Sequence, residues 1–302
     1  MKKIESILAA TDFSDDAGHA IARAAMVASE QRAGLGLLHV ISEPSLSAVK
    51  SLLNGAGDIE ACLVADAHES LQREAAGILE KRGLHASARV AVGAVVDTIH
   101  AAGSRADLTV VGGHGVNPLR DLVLGSTAER VLGRCTTPVL VVKRAPQVPY
   151  RHVLLAVDLS ELSAAALDLA MRLAPRAGIT ILHAYSVPFE SKLSRAGVSP
   201  DIVDQYRAEA ALAAREQIDS LILTSAKDRT GLVSAVAHGN APYLILKKQE
   251  ELDADLIVMG CREQSALALY FLGSVSRHVL ADASCDVLVI PGKAATQGDG
   301  PS

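Results

Sequence analysis

The chain is written twice, and that limits its fold more than any other feature. "SILAATDFS" at 6–14 returns as "VLLAVDLS" at 153–160, and "GLLHVISEP" at 36–44 returns as "TILHAYSVP" at 180–188. "VAVGA" at 90–94 matches "VAHGN" at 236–240, and "ADLTVVGGHG" at 106–115 matches "ADLIVMGCRE" at 254–263. "LGSTAERVL" at 124–132 and "VLVVK" at 139–143 recur as "LGSVSRHVL" at 272–280 and "VLVIP" at 287–291. Matched segments stay in order at offsets of 144–148 residues. So long a period excludes a short-repeat solenoid and implies two copies of one domain. The 302 residues suit two domains of about 150 each. The expected domains are 1–146 and 150–292, joined at "RAPQVPY" (144–150), where two prolines interrupt regular structure. The polar stretch 293–302 has little to bury and is expected to be a disordered tail.

Within each copy, short Val/Ile/Leu runs alternate with longer Ala-, Leu- and charge-rich stretches. In the first copy the expected strands are 4–10, 35–41, 86–92, 107–112 and 138–143. The expected helices are 15–32, 60–82, 94–104 and 125–134. The second copy repeats the pattern, with its long helix near 200–225. Near-continuous apolar strands separated by helices mean a parallel sheet covered on both faces. The fold class is therefore α/β, two tandem five-stranded, doubly wound domains. Ligands of such sheets sit at the carboxyl ends of the strands, where the strand order reverses. Asp12, His39, Val40 and Gly112 all fall at strand ends of one edge.

Composition removes several function classes. Lys plus Arg total 29 against 34 Asp plus Glu, a net charge of −5, which leaves no basic footprint for nucleic acid or an anionic membrane. Aromatics are 3% and Trp is absent, so base-stacking platforms are not expected. The start, "MKKIESILAATDFS", has the two lysines of a signal sequence, but Glu5 and Ser6 break its apolar run and Asp12 ends it. It reads as a first strand, and no stretch is long enough to span a bilayer. Cys62, Cys135, Cys261 and Cys285 are scattered without a C-x-x-C, as expected of buried thiols in a reducing, cytoplasmic setting.

The chemistry concentrates in "VVGGHGVNPLRDLVLGSTAER" (110–130). Gly112, Gly113 and Gly115 follow a strand, and Gly125-Ser126-Thr127 opens a helix. Glycine permits positive φ and close backbone approach, and a helix start offers free N–H groups to an anion. Ser126 and Thr127 could add hydroxyls, and Arg120 or His114 positive charge. The same residues also suit an ordinary turn: "STAE" at 126–129 reads as a capping box with Ser126 as the cap and Glu129 reaching back. His39, repeated as His183, reads as a hydrogen-bonded strand-end histidine. There is no G-x-x-x-x-G-K-[ST], Pro118 spoils G-x-G-x-x-G, and G-x-S-x-G is absent.

Gly112-x-x-Gly115, nine residues, then Gly125-Ser126 resembles the G-x-x-G-x9-G-[ST] nucleotide motif of the universal stress protein (UspA-like) family. "AATDFS", "LLHV", "VGGHG", "LGSTAERVL" and "TPVLVVK" read as that family does, over nearly the whole chain. The resemblance implies Rossmann-like, adenine-nucleotide alpha-hydrolase-like domains related by a pseudo-two-fold. In that arrangement 139–143 and 287–291 would meet as antiparallel edge strands, an internal pseudo-dimer. It further implies a cytoplasmic stress-response protein with ATP, with or without Mg2+, as a regulatory ligand. Asp12, preceded by Ala10 and Thr11, would hold the ribose and its neighbourhood, and the backbone of Val40 would meet the adenine. Gly112 and Gly115 would wrap the ribose and phosphates, and Gly125, Ser126 and Thr127 would cradle the phosphates.

The second copy keeps Asp158, Gly260, Gly273 and Ser274 but has Glu263 where the first has Gly115, and Ala184 where the first has Val40. Glu263 adds a side chain and a negative charge where phosphates would sit, so the ligand is expected in the first copy. Because the second copy folds with Glu263, Gly115 is better explained by a ligand than by a turn. Two other functions stay open. One is a weak ATPase or phosphoryl-transfer enzyme, for which His114 is the loop's only acid–base candidate; the other is a nucleotide-independent scaffold or other small-molecule-binding module. Unknown protein partners and a further homodimer also stay open; no nucleic acid or membrane partner is expected.

Overall fold

Strand formation here follows the apolar runs. The computed structural model describes residues 3–52, 58–115, 125–226, 230–261 and 273–292. Arg120, Glu263 and the expected tail 293–302 lie outside them. The chain falls into two compact units, one on the stretch up to Pro149, the other on Tyr150–Gly260 with Ser274–Ile290.

In the first unit the order is β1 (Ser6–Thr11), α1 (Asp15–Gln31), β2 (Gly34–Ser42), α2 (Glu43–Leu52), α3 (Ile59–Arg82), β3 (Ala86–Gly93), α4 (Val95–Gly103), β4 (Leu108–Gly112), α5 (Ser126–Leu132) and β5 (Val139–Val142). The strands lie in the order β3-β2-β1-β4-β5, and each pairing is parallel. Strand β1 pairs with β2 on one side and β4 on the other, so the order reverses between β1 and β4. That is the position where a doubly wound sheet opens a crevice at its carboxyl ends. The central strands are buried on both faces, as Ile7, Leu37, Leu108, Val110 and Leu140 show. Helix α1 starts where Ser14 accepts the N–H of Ala17, and its buried face is mainly alanine, which brings its backbone close to the sheet.

Opposite the crevice, Asp107 ties β1 to β4. Its Oδ2 accepts the N–H groups of Glu5 (2.9 Å) and Ser6 (3.0 Å) and the Ser6 hydroxyl (3.0 Å). The unit's crevice and its tied end are thus at opposite ends of the same strands.

The second unit repeats the plan with β6 (His152–Val157), α6 (Glu161–Leu173), β7 (Gly178–Tyr185), α7 (Glu190–Arg195), α8 (Pro200–Ser225), β8 (Leu232–His238), α9 (Ala241–Glu251), β9 (Leu256–Cys261), α10 (Ser274–Asp282) and β10 (Asp286–Pro291). Its order is β8-β7-β6-β9-β10, with parallel β6–β7, β6–β9 and β7–β8 pairs. Asp255 takes the N–H groups of Arg151 and His152 just as Asp107 takes those of Glu5 and Ser6. Helices α2 and α7 are not expected from the apolar periodicity; α2 buries only Leu46 and so carries almost no periodic signal.

Candidate functional site

At the carboxyl ends of β1 and β4 lies a cavity of about 340 Å3. It is bordered by Ala10, Thr11 and Asp12 from the end of β1, Val40 from β2, Gly112 and Gly115 from the loop after β4, and Gly125, Ser126 and Thr127 from the start of α5. These are the nine residues expected from the motif and the family resemblance together, and the fold brings all of them to one place. Periodicity alone does not point to Leu38, Val95, Ile99, Val111 and Ala128, which supply an apolar wall. Val95 and Ile99 are one helical turn apart on α4 and face the cavity together.

The turn after β1 is built to present Asp12. Phe13 adopts a left-handed backbone (φ 65°), rare for a bulky side chain, and its ring stacks on His39 with centroids 4.4 Å apart. Thr11 Oγ1 accepts the N–H of Phe13, and Asp12 Oδ1 accepts the N–H (3.1 Å) and hydroxyl (2.6 Å) of Ser14. Asp12 itself is exposed toward the cavity mouth. His39 Nδ1 lies 2.9 Å from the Thr11 carbonyl oxygen, and His183 repeats this with Val157 at 2.9 Å, so both histidines bind the neighbouring strand end.

The glycines serve close approach, not unusual dihedrals. None of Gly112, Gly113, Gly115 and Gly125 has a positive φ. A Cβ on Gly112 would stand 2.9 Å from the backbone carbonyl carbon of Asp16, so β4 can meet α1 only through a glycine. A Cβ on Gly125 would lie 3.1 Å from the carbonyl oxygen of Gly113, to which Gly125 donates its N–H at 2.7 Å. Gly115 faces Asp12: its Cβ would stand 2.8 Å from Oδ2.

The expected capping box does not form. Helix α5 begins at Ser126 with Gly125 as its N-cap, and no side chain caps it. Ser126 is one position too far into the helix to accept from the third-residue amide. Ser126 and Thr127 are exposed beside the cavity, in the first turn of α5.

His114 completes the loop. Its backbone N–H (3.0 Å) and its ring Nδ1 (2.8 Å) both meet Asp16 Oδ2, and His19 Nδ1 lies 3.8 Å from Asp16 Oδ1. Asp16 is not legible as a site residue from the sequence, because an acidic residue in a first helical turn is common for helix-dipole reasons alone.

The model of the universal stress protein family matches the chain twice, over residues 3–143 and 149–291. The chain belongs to the universal stress protein family. It is similar to a universal stress protein of Mycolicibacterium smegmatis, 27% identical over 302 residues that cover 94% of this chain and 96% of that protein. A universal stress protein of Synechocystis is 29% identical over 150 residues, 47% of this chain and 97% of that protein. A universal stress protein structure from Archaeoglobus fulgidus shares the fold across 95% of this chain and 98% of its own, with a TM-score of 0.68 and 21% identity. The two matches to the family model are the tandem copies read from the repeat.

The second universal stress protein unit differs at the equivalent edge. A Cβ on Gly260 would make only ordinary contact with Leu162 (3.4 Å), so the tight strand–helix approach of Gly112 is relaxed there. Asp158 Oδ1 accepts the N–H of Ser160 at 3.0 Å, which keeps the turn of the first unit. Among the described residues no helix is long and apolar enough to cross a membrane, and no cluster of three or more His, Cys, Asp or Glu forms a metal site.

Proposed function

We propose that the N-terminal half binds ATP as a regulatory ligand of a stress-response protein. The observation that carries this reading is one cavity, at the reversal point of the sheet, bordered by all nine residues expected from the motif and the family resemblance. One wall, with Leu38, Val40, Val95 and Ile99, suits a purine ring. The other, with Gly112, Gly115, Ser126 and Thr127, offers backbone approach and hydroxyl donors to ribose and phosphates. Asp12 is the one carboxylate among the cavity's described lining residues. It suits a ribose hydroxyl, or the single-carboxylate share of a Mg2+ otherwise held by phosphates. All four cysteines are free, which supports a reducing cytoplasmic setting.

The test is mass spectrometry of small molecules released from freshly purified protein, with calorimetry of ATP binding. About one adenine nucleotide per chain is expected, absent from Gly115→Glu. Equal nucleotide content in that variant would overturn the assignment.

A further inference from the structure

Asp16 does not border the cavity, yet it holds the loop that does. One oxygen, Oδ2, takes both the backbone N–H and the ring Nδ1 of His114, at 3.0 and 2.8 Å. A carboxylate oxygen can only accept, so Nδ1 carries the proton and Nε2 is the ring nitrogen left for a ligand. Because one atom fixes backbone and ring together, the ring direction follows from the fold of the loop. His114 borders the cavity between Gly112 and Gly115, with Ser126 and Thr127 across the same cavity.

Several charged groups face this pair. His19 approaches Asp16 along α1, Asp12 lies beside Gly115, and the Lys143 stem packs on Gly113, where a Cβ would be 3.2 Å away. No Lys or Arg is among the cavity's described lining residues, so His114 is the lining side chain there that can become cationic. A neutral imidazole would turn the Nε2 lone pair toward a phosphate oxygen; a protonated one donates a charge-assisted hydrogen bond. The second copy has Leu162 and Arg262 at the positions matching Asp16 and His114, so carboxylate and imidazole are absent together.

Resting on the nucleotide reading of the cavity, we propose that Asp16 and His114 form a proton-linked contact for the ligand's phosphate. Asp16 is the positioning residue, and His114 Nε2 donates to a phosphate oxygen. The phosphorylated ligand then binds with uptake of one proton from solvent. No covalent bond is made or broken.

The test is calorimetric titration of the full chain with ATP and with adenosine between about pH 6 and pH 8, in buffers of different ionisation enthalpy. In the wild type, ATP affinity falls as pH rises, toward tenfold per pH unit, with up to one proton taken up per ATP. Adenosine affinity stays flat. His114→Asn keeps a donor for Asp16 but removes Nε2; it loses the pH slope and weakens ATP far more than adenosine. The nucleotide's own phosphate titrates identically in this variant, so the difference between the two proteins isolates His114. Asp16→Asn frees the loop amide and the ring from their shared acceptor, so it weakens ATP more than adenosine, whereas His19→Asn leaves both affinities and the slope in place. Equal pH dependence for ATP and adenosine, or a slope that survives His114→Asn, overturns the inference while leaving the nucleotide site standing. Absence of binding by both ligands at every pH overturns the nucleotide reading itself.

Discussion

Gly115 and Asp12 stand so close that a Cβ on the glycine would lie 2.8 Å from Asp12 Oδ2. Comparison of the two sequence copies leads to the expectation that this glycine serves a ligand, since the second copy has Glu263 in its place. The structure adds a nearer cause: a methyl group there displaces the carboxylate of another motif residue. Gly115→Ala is therefore expected to weaken ATP binding about tenfold, or ~1.4 kcal/mol, by turning Asp12 aside. In an Asp12→Gly background the same change should cost almost nothing. Calorimetry on the four proteins of this cycle gives the coupling, and additive losses would show that Gly115 acts without Asp12.

Gly112 makes a different demand. Its missing Cβ leaves room for the backbone of Asp16 and Ala17, neither of which can rotate away. Gly112→Ala should destabilise the first unit by about 1–3 kcal/mol whether or not nucleotide is present. Gly18, in the first turn of α1 with open space around its Cβ position, gives the opposite expectation. Gly18→Ala should stabilise by about 0.5–1 kcal/mol, through helix propensity and a less flexible unfolded chain. Urea denaturation with unchanged m-values measures both, and an equal sign for the two substitutions would contradict the packing described.

The repeat and the apolar runs carry most of the fold in plain view, because parallel strands buried on both faces must be apolar throughout. The strand ends come within two residues of expectation in the first unit. Helix α2 is silent because it buries only Leu46 and so imposes no period, and α7 is only six residues long. Gly112, Gly115, Gly125 and Ser126 are legible as a spaced motif, and the other five site residues through the family resemblance, but the reasons for the glycines are not. Gly112 and Gly260 are the same letter, yet one abuts backbone at 2.9 Å and the other meets a leucine side chain at 3.4 Å. "STAE" fits a capping box letter by letter and fails because the helix starts one residue early, which puts Ser126 inside it and Gly125 at the cap. Asp16 and the Asp107/Asp255 clamps depend on contacts about 100 residues apart, which no local pattern records.

Burial pushes the Cys135 thiol up to about 11. The folded state therefore holds this proton more tightly than the unfolded chain does. Stability is unaffected below the unfolded thiol value near 9 and falls as pH rises from there toward 11, by up to about 3 kcal/mol. Cys135→Ala should flatten that part of the stability–pH curve. The same burial makes the thiol inert: at about pH 8 iodoacetamide should label exposed Cys62 and leave Cys135 unmodified until the chain unfolds. Mass spectrometry of the alkylated protein, with and without urea, checks the order, and early labelling of Cys135 would refute its burial.

Thr109 occupies a fully buried position in β4, and its hydroxyl has no hydrogen-bond partner among the described residues. The end of α4 packs directly over it: a Cβ on Gly103 would stand 2.6 Å from Thr109 Oγ1. An unpaired buried hydroxyl costs its desolvation without recovering a hydrogen bond. Thr109→Val keeps the shape and removes the penalty, so it should raise stability by about 1 kcal/mol. Gly103→Ala should lower stability by about 1–3 kcal/mol, by driving a methyl group into the space the threonine fills. Combining the two should retain most of the Gly103 cost, because the clash is steric and valine leaves a methyl where the hydroxyl stood. Urea unfolding midpoints of the three variants decide the matter, and destabilisation by Thr109→Val would mean that a buried water satisfies the hydroxyl.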